Sequence, residues 1–312
     1  MDGVYLGSPA YALGSRKQHV RESAEAGLLR SAASDLEAAG FRWHHVCGPD
    51  ESAYDLARQA VAEIAGNGGL RDIDAIVYAT CLPEPQQHPV RDVKMLMDFP
   101  ASRLQAEFGL RDAIVVGLHQ QACTGMLGAL RVAKALLVSE PSWRRILCVT
   151  ADRFPDGAWY EQAYNVISDG AAACVVGREP DVCRLLTVHH ITNGGLGRAG
   201  DDETVGTYFA YTHRIVRETA DRIGATPPEL EWIVPQNTHE QAWRILARLL
   251  AVDHGRVWHP SLPDVGHVIS ADVMVNLAAL LASGQAQPGD RIALAMAGFG
   301  LNWQCAALEV TR

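Results

Sequence analysis

Four short runs constrain the fold before anything else does: "IDAIVYAT" (Ile73 to Thr80), "AIVVGL" (Ala113 to Leu118), "RILCVTA" (Arg145 to Ala151) and "AAACVVG" (Ala171 to Gly177). Each is almost wholly apolar and lacks the polar alternation of a strand with one wet face. Such a strand must sit in a sheet covered on both sides. Helices supply the cover: apolar residues recur at helical spacing over Ser52 to Ala65, Pro100 to Phe108 and Thr124 to Val138. Strands and helices alternating from end to end define an α/β class. At 312 residues and 48% hydrophobic, the chain can bury a large core, as one big domain or two halves.

The second half reads as a variation on the first. "GALRVAKALLVSEPSWRRILCVTA" is a helix, a polar loop and a strand, and "NLAALLASGQAQPGDRIALAMAG", from Asn276, has the same order. "RDIDAIVYAT" matches "PELEWIVPQN", from Pro228: an acidic residue, an apolar strand, a turn. The reading is two related halves, residues 1–178 and 179–312. It sets Cys123 opposite Gly266 to Asp272, so a site is expected where the helix-leading loops of both halves converge. "TCLPEPQQHP" (Thr80 to Pro89) and "NGGLGRAGDD" (Asn193 to Asp202) are expected as a surface excursion and a short connection.

Composition removes several function classes. A net charge of -9 with no block of like charge argues against nucleic acid or an anionic membrane as the main partner. No run of eighteen apolar residues is apparent, so no transmembrane helix is expected. The N-terminus lacks a signal peptide's basic start and apolar stretch. Seven scattered cysteines, never in a C-x-x-C pair, fit a reduced cytoplasmic protein. No metal site is expected: His44, His45 and Cys47 in "WHHVC", like His189 and His190, fall on alternating faces of presumed strands. No glycine-rich nucleotide loop follows a strand.

Four stretches could carry chemistry. In "QQACTGMLGALRVAKALL" Cys123 lies among small residues just ahead of an apolar helix, where the helix dipole would favour its thiolate. The alternative is a small buried core residue, as expected for Cys148, Cys174, Cys183 and Cys305 in strands. In "PDVGHVISADVMVNLAALLASG" Gly266 permits a tight turn, His267 follows, Ser270 suits a helix N-cap and Asp272 falls in the first turn. Asp272 can then reach back to His267, giving nucleophile, base and orienter with Cys123. In "IVPQNTHEQAWRIL" a strand ends at Pro235, and His239 is the competing base. The glycines of "MAGFGLNWQCAALEV", after a strand, can aim backbone N–H groups into a cavity as an oxyanion hole.

Together these stretches resemble the thiolase superfamily, and most closely the β-ketoacyl-acyl-carrier-protein synthase III family, over nearly the whole chain. "ACTGMLGAL" resembles its nucleophile loop, "SDGAAACVVG" its "GDGAGA" strand entry and "AGFGLNWQCA" its C-terminal Gly-rich loop. The resemblance implies a five-layered αβαβα fold, a homodimer with sheets running on across the interface, and acyl groups delivered on coenzyme A or a carrier-protein phosphopantetheine. It implies no permanently bound cofactor.

Two departures matter. The family's condensing members have a His in a "P-H-x-x-N" segment, where this chain has Gln236 in "PQNTH". They have an Asn in "G-N-T-S-A", where this chain has His267 in "GHVISA". The pair that stabilises the enolate is absent, and His267 with Asp272 resembles the family's acyltransferase branch in natural-product pathways. The expectation is an acyltransferase: Cys123 forms the acyl-enzyme, His267 is base, Asp272 its orienter, and the backbone N–H groups of Cys123 and Phe299 hold the oxyanion. Gln236, Asn237 and His239 are candidate acceptor-site residues, and a small-molecule hydroxyl or amine is the acceptor. Three rivals are a carbon–carbon condensing enzyme, a thioesterase, and a non-catalytic partner subunit of a heterodimeric synthase. "MLMDFP" (Met95 to Pro100) is expected in core or interface packing.

Overall fold

The computed structural model describes residues 3–82, 97, 99–162, 165–198, 201–299 and 301–312. The strands are β1 (Tyr5–Leu6), β2 (Ala10–Leu13), β3 (Arg16–His19), β4 (Trp43–Val46), β5 (Ile73–Ala79), β6 (Ile114–Leu118), β7 (Arg145–Asp152), β8 (Glu161–Gln162), β9 (Asn165–Val166), β10 (Gly170–Gly177), β11 (Cys183–Thr192), β12 (Trp232–Pro235), β13 (Arg291–Gly298) and β14 (Asn302–Val310). The helices are α1 (Val20–Glu25), α2 (Ala33–Ala38), α3 (Ala53–Gly66), α4 (Pro100–Glu107), α5 (Gly125–Ser139), α6 (Asp201–Asp221), α7 (Glu240–Leu249), α8 (Leu262–Val265) and α9 (Asp272–Ser283).

Hydrogen bonding joins the main strands in the order β12-β13-β14-β11-β1-β10-β7-β5-β6, with β2 also on β10. Short β1 is the seam, antiparallel to β10 on one side and β11 on the other. On the first-half side β5 and β7 are parallel and β7 and β10 antiparallel. On the other side β12 and β13 are parallel and β13 and β14 antiparallel.

Side-chain alternation turns this sheet into layers. Ile146 and Cys148 of β7 face the middle core, whereas Leu147, Val149 and Ala151 face the outer one. In the second half Ile292, Leu294 and Met296 of β13 face the middle, and Ala293 and Ala295 face outward. Helices α5 and α9 fill the middle and touch strands of both halves. Helices α3 and α4 cover one outer face, α6 and α7 the other. The result is αβαβα, the thiolase fold.

Helix ends follow local chemistry. Ser52 caps α3 by accepting the Asp55 N–H, and Asp55 returns a bond to the Ser52 N–H. Pro100 opens α4. The helical span Ala122–Ser139 is apolar on average but carries Arg131 and Lys134, so it is not a run of eighteen apolar residues. More than half of that span is buried, because it is the middle layer between two sheets. Beyond the described bends at Cys81 and Leu82, the excursion to Pro89 lies outside the described residues. So do Met95, Leu96 and Asp98 of the Met95 to Pro100 stretch, whose described Met97 and Phe99 are exposed. "NGGLGRAGDD" is no plain connection: it forms a 3-10 turn at Gly194–Arg198 and leads into the 21-residue α6.

Candidate active site

The nucleophile loop is a tight construction. Ala122 takes φ of +45°, a left-handed conformation that costs a non-glycine residue about 1 kcal/mol or more. Ser270 Oγ holds it by donating to the Ala122 carbonyl at 3.0 Å. A 3-10 turn, Ala122–Thr124, then delivers Cys123 to the start of α5. Gly125 keeps the space tight: a Cβ there would lie 3.1 Å from Ala79 Cβ and 3.2 Å from Ser270 Oγ, so both would have to give way slightly. Ser270 is therefore a brace between the two loops, not the expected N-cap of α9, which is Ala271.

His267 is clamped by its backbone. Its N–H donates to the Val166 carbonyl at 2.7 Å, and its carbonyl accepts from the Ser168 N–H at 2.8 Å. Gly266 takes φ of +68°, and a Cβ there would lie 2.8 Å from the Val166 oxygen. The imidazole Nδ1 meets Asp272 Oδ2 at 2.5 Å, and Nε2 faces Cys123 Sγ at 3.4 Å. Both His267 and Asp272 are fully buried. Asp272 also accepts the Asn237 N–H at 2.7 Å and the Val268 N–H at 2.6 Å. A carboxylate only accepts, so Nδ1 carries a proton toward it and Nε2 is left free to take one from the thiol. The side chains thus stand in the order that a nucleophile, a base and its orienter require.

The surroundings of the thiol work against the ionisation expected from the helix start. A hydrogen bond with Cys81, then burial, then the charges of Cys81, Asp152 and Asp272 push the Cys123 thiol well above its usual range. Cys81 carried no functional reading from the sequence, and neither did Asp152. Burial pushes the Asp152 carboxyl up to about 7, against bonds from the Leu82 and Cys81 N–H groups and the Thr80 hydroxyl, all to Oδ1.

The remaining wall comes from β13 and its turn. A Cβ on Gly298 would sit 2.9 Å from the Cys123 nitrogen, so only glycine lets this backbone lie against the nucleophile. Cys123, His267, Gly298 and Phe299 line one pocket with Gln236, Asn165 and Tyr208. The candidate acceptor residues separate here. Gln236 lines the pocket, but its Oε1 is occupied by the Ala297 N–H at 2.5 Å. Asn237 is fully buried and donates from its side chain to the Gly266 carbonyl at 2.7 Å, so it positions the His267 turn instead of meeting an acceptor. His239 is the N-cap of α7, its Nδ1 accepting the Gln241 N–H at 3.0 Å, and it does not line this pocket. Asn165 went unread in sequence, for no motif marks it. Its buried Oδ1 has no hydrogen-bond partner among the described residues.

The layered sheet and this buried cysteine at a helix start define a thiolase-fold protein. Residues 119–194 match the family model for 3-oxoacyl-[acyl-carrier-protein] synthase III, and residues 220–310 match the model for its C-terminal part. The chain belongs to the 3-oxoacyl-[acyl-carrier-protein] synthase III family. It is 25% identical over 301 residues to the β-ketoacyl-[acyl-carrier-protein] synthase III of Chlamydia caviae, covering 86% of each chain. It is 26% identical over 319 residues to the synthase of the same name from Rhizorhabdus wittichii, covering 93% of this chain and 95% of that one. Among solved structures, the acyltransferase ChlB3 superposes with a TM-score of 0.82 at 20% identity, covering 99% of this chain and 98% of that one. The Aquifex aeolicus synthase III gives 0.82 at 20% identity, covering 98% of this chain and 100% of that one. At these identities the superpositions establish the fold.

Proposed function

We propose that the protein is an acyltransferase that moves an acyl group from a coenzyme A or carrier-protein thioester to a hydroxyl or amine, by way of an acyl-Cys123 intermediate. The observation that carries this reading is the file Cys123–His267–Asp272, with contacts of 3.4 and 2.5 Å. His267 takes the thiol proton, and the thiolate attacks the thioester carbonyl. The backbone N–H groups of Cys123 and Phe299 are the proposed oxyanion donors. The tetrahedral intermediate expels the donor thiol, which leaves with that proton. The acceptor then gives its proton to His267 and attacks the acyl-Cys123 carbonyl, releasing the product and the thiol.

A condensing reading draws on the relatives' names, since the curated relatives are called synthases. It lacks an enolate site: Gln236 is neither base nor cation, and its oxygen is tied to the Ala297 N–H. Acylated enzyme offered malonyl carrier protein, a panel of alcohols and amines, and water discriminates the readings. Ester or amide is expected. Carbon dioxide release at the rate of acyl transfer would support condensation, and free acid alone a thioesterase. We further infer a homodimer, from the exposed apolar edge at Ile114 and Val115.

A further inference from the structure

Away from the active site, three ligand-type side chains that the sequence scatters over twenty residues converge on one surface pocket. Glu240 opens α7, His254 opens a short 3-10 turn after that helix, and His259 follows five residues on. The returning segment is pinned to the core. The Trp258 N–H donates to the Ile233 carbonyl at 2.7 Å, and Arg256 donates to the Pro228 carbonyl at 2.9 Å. The imidazoles are thereby held against the Glu240 carboxylate, and the three ligand atoms lie within 4.8 Å of one another.

Both imidazoles reach the Glu240 carboxylate, but at longer range than the protein's close imidazole–carboxylate pairs. Where this protein pairs an imidazole with a carboxylate, the atoms close to 2.7 Å, as at His189 and Glu218, or to 2.5 Å, as at His267 and Asp272. Around Glu240 they stop at 3.5 Å for His254 Nε2 and 3.4 Å for His259 Nε2. His254 Nε2 is buried with no hydrogen-bond partner among the described residues, and so is His259 Nδ1. Bonds of about 2.0–2.1 Å to a shared tetrahedral ion would hold such ligand atoms about 3.4 Å apart. Two imidazoles and one carboxylate are also the donor set that zinc and its neighbours take. Arg244 reaches Glu240 Oε1 at 3.1 Å, but it is an i,i+4 surface partner, half exposed, of the weak kind.

We propose that Glu240, His254 and His259 bind one divalent transition-metal ion of the zinc class, with the open side of the pocket left for water or a small anion. The ion ties the start of α7 to the segment that runs on through Ser261 to Gly266 and His267. Ser261 already accepts from Asn237 at 2.8 Å, so the same segment borders the triad's support.

The test is direct metal binding, independent of any acyl chemistry. Protein stripped with chelator is dialysed against zinc, and retained metal is counted per chain; cobalt then reports the ligands through its visible absorption. The wild-type protein and Cys123→Ala, which removes the competing active-site thiol, should each retain about one zinc. Cobalt should show d–d bands without a thiolate charge-transfer band. His254→Ala and Glu240→Gln, both at partly exposed positions, should fold normally. Each should lose more than the roughly 10- to 100-fold in affinity that removal of an outer-shell partner costs. Zinc should raise the melting temperature of wild type and of neither variant. No retained zinc in wild type, retention undiminished in both variants, or a thiolate band would each overturn the site.

Discussion

A buried thiol held above its usual range, with an imidazole facing its sulfur, makes a definite kinetic forecast. Cys123 alone should be acylated by a suitable acyl thioester. The other cysteines either lie in strands or, like Cys47 and Cys81, have no base aligned on the sulfur among the described contacts. Intact mass should show one adduct that vanishes in Cys123→Ala; a surviving adduct would remove Cys123 as nucleophile. Because the thiol sits well above its usual range, His267→Ala should slow acylation as well as transfer, whereas a dipole-activated thiolate would not need the base. Asp272→Asn should cost transfer about 10³- to 10⁴-fold, since an amide permits the wrong tautomer and cannot stabilise the imidazolium. His267 and Asp272 act as a unit, so the double variant should be little worse than His267→Ala alone. Single-turnover transfer from pre-acylated enzyme measures all three. His239→Ala should be mild, because that ring caps α7 outside the pocket. Loss of transfer in His239→Ala with His267→Ala intact would transfer the base to His239 and favour condensation.

Elements were legible in sequence where a local pattern fixed them. The continuous apolar runs became β5, β7 and β10 within a residue or so, because a strand buried on both faces has no polar position to blur it. "AIVVGL" also forms a strand, but β6 lies at the sheet's edge with Ile114 and Val115 exposed, not covered on both sides as expected. Cys123, His267 and Asp272 were legible because their loops carry closely packed glycines and sit before helices. Asp152 and Cys81 were not, since their weight comes from burial at the end of β5 against β7, which only the tertiary structure creates. Helix α6 was hidden for a related reason: its buried stripe, with Tyr208, Thr212, Ile215, Val216, Thr219 and Ala220, follows a glycine-rich lead that reads as loop. Asp152 makes its own forecast. A carboxyl raised from 3.8 to about 7 favours the folded state while protonated, fully below pH 4, and that stability is lost as pH rises through 7. The span is worth at most about 4 kcal/mol. Asp152→Asn keeps an acceptor oxygen for its three donors and cannot ionise. It should therefore match wild type near pH 4 and be more stable at pH 8.5, in urea melts at both pH values. It should also lower the alkylation pKa of Cys123, because a nearby negative charge disappears. Equal urea midpoints for the two proteins at pH 8.5 would show that Asp152 does not titrate in the folded state near neutrality.

At the scale of the whole molecule, the sheet's two ends are unequal. At one end β12 carries a mostly buried Trp-Ile-Val-Pro strand. At the other β6 carries "IVVGL", with Ile114 48% and Val115 41% exposed. Among the described strands β6 pairs with β5 alone, in parallel register from Ala75 opposite Ile114 to Ala79 opposite Leu118. A long apolar edge strand with free N–H and C=O groups is a template for another strand, and proteins that keep one exposed usually blunt it with charge or proline. Neither occurs within Ile114–Leu118. A second copy, placed by a two-fold axis, would pair β6 with β6 antiparallel and continue the sheet from one protomer into the next. The expected outcome in light scattering after gel filtration is twice the chain mass of 33.8 kDa. Changing Ile114→Lys and Val115→Lys together sets like charges across the axis and should give the single-chain mass, with the fold retained by circular dichroism. If the wild type already runs at 33.8 kDa, or the lysine variant stays a dimer, β6 is not the interface.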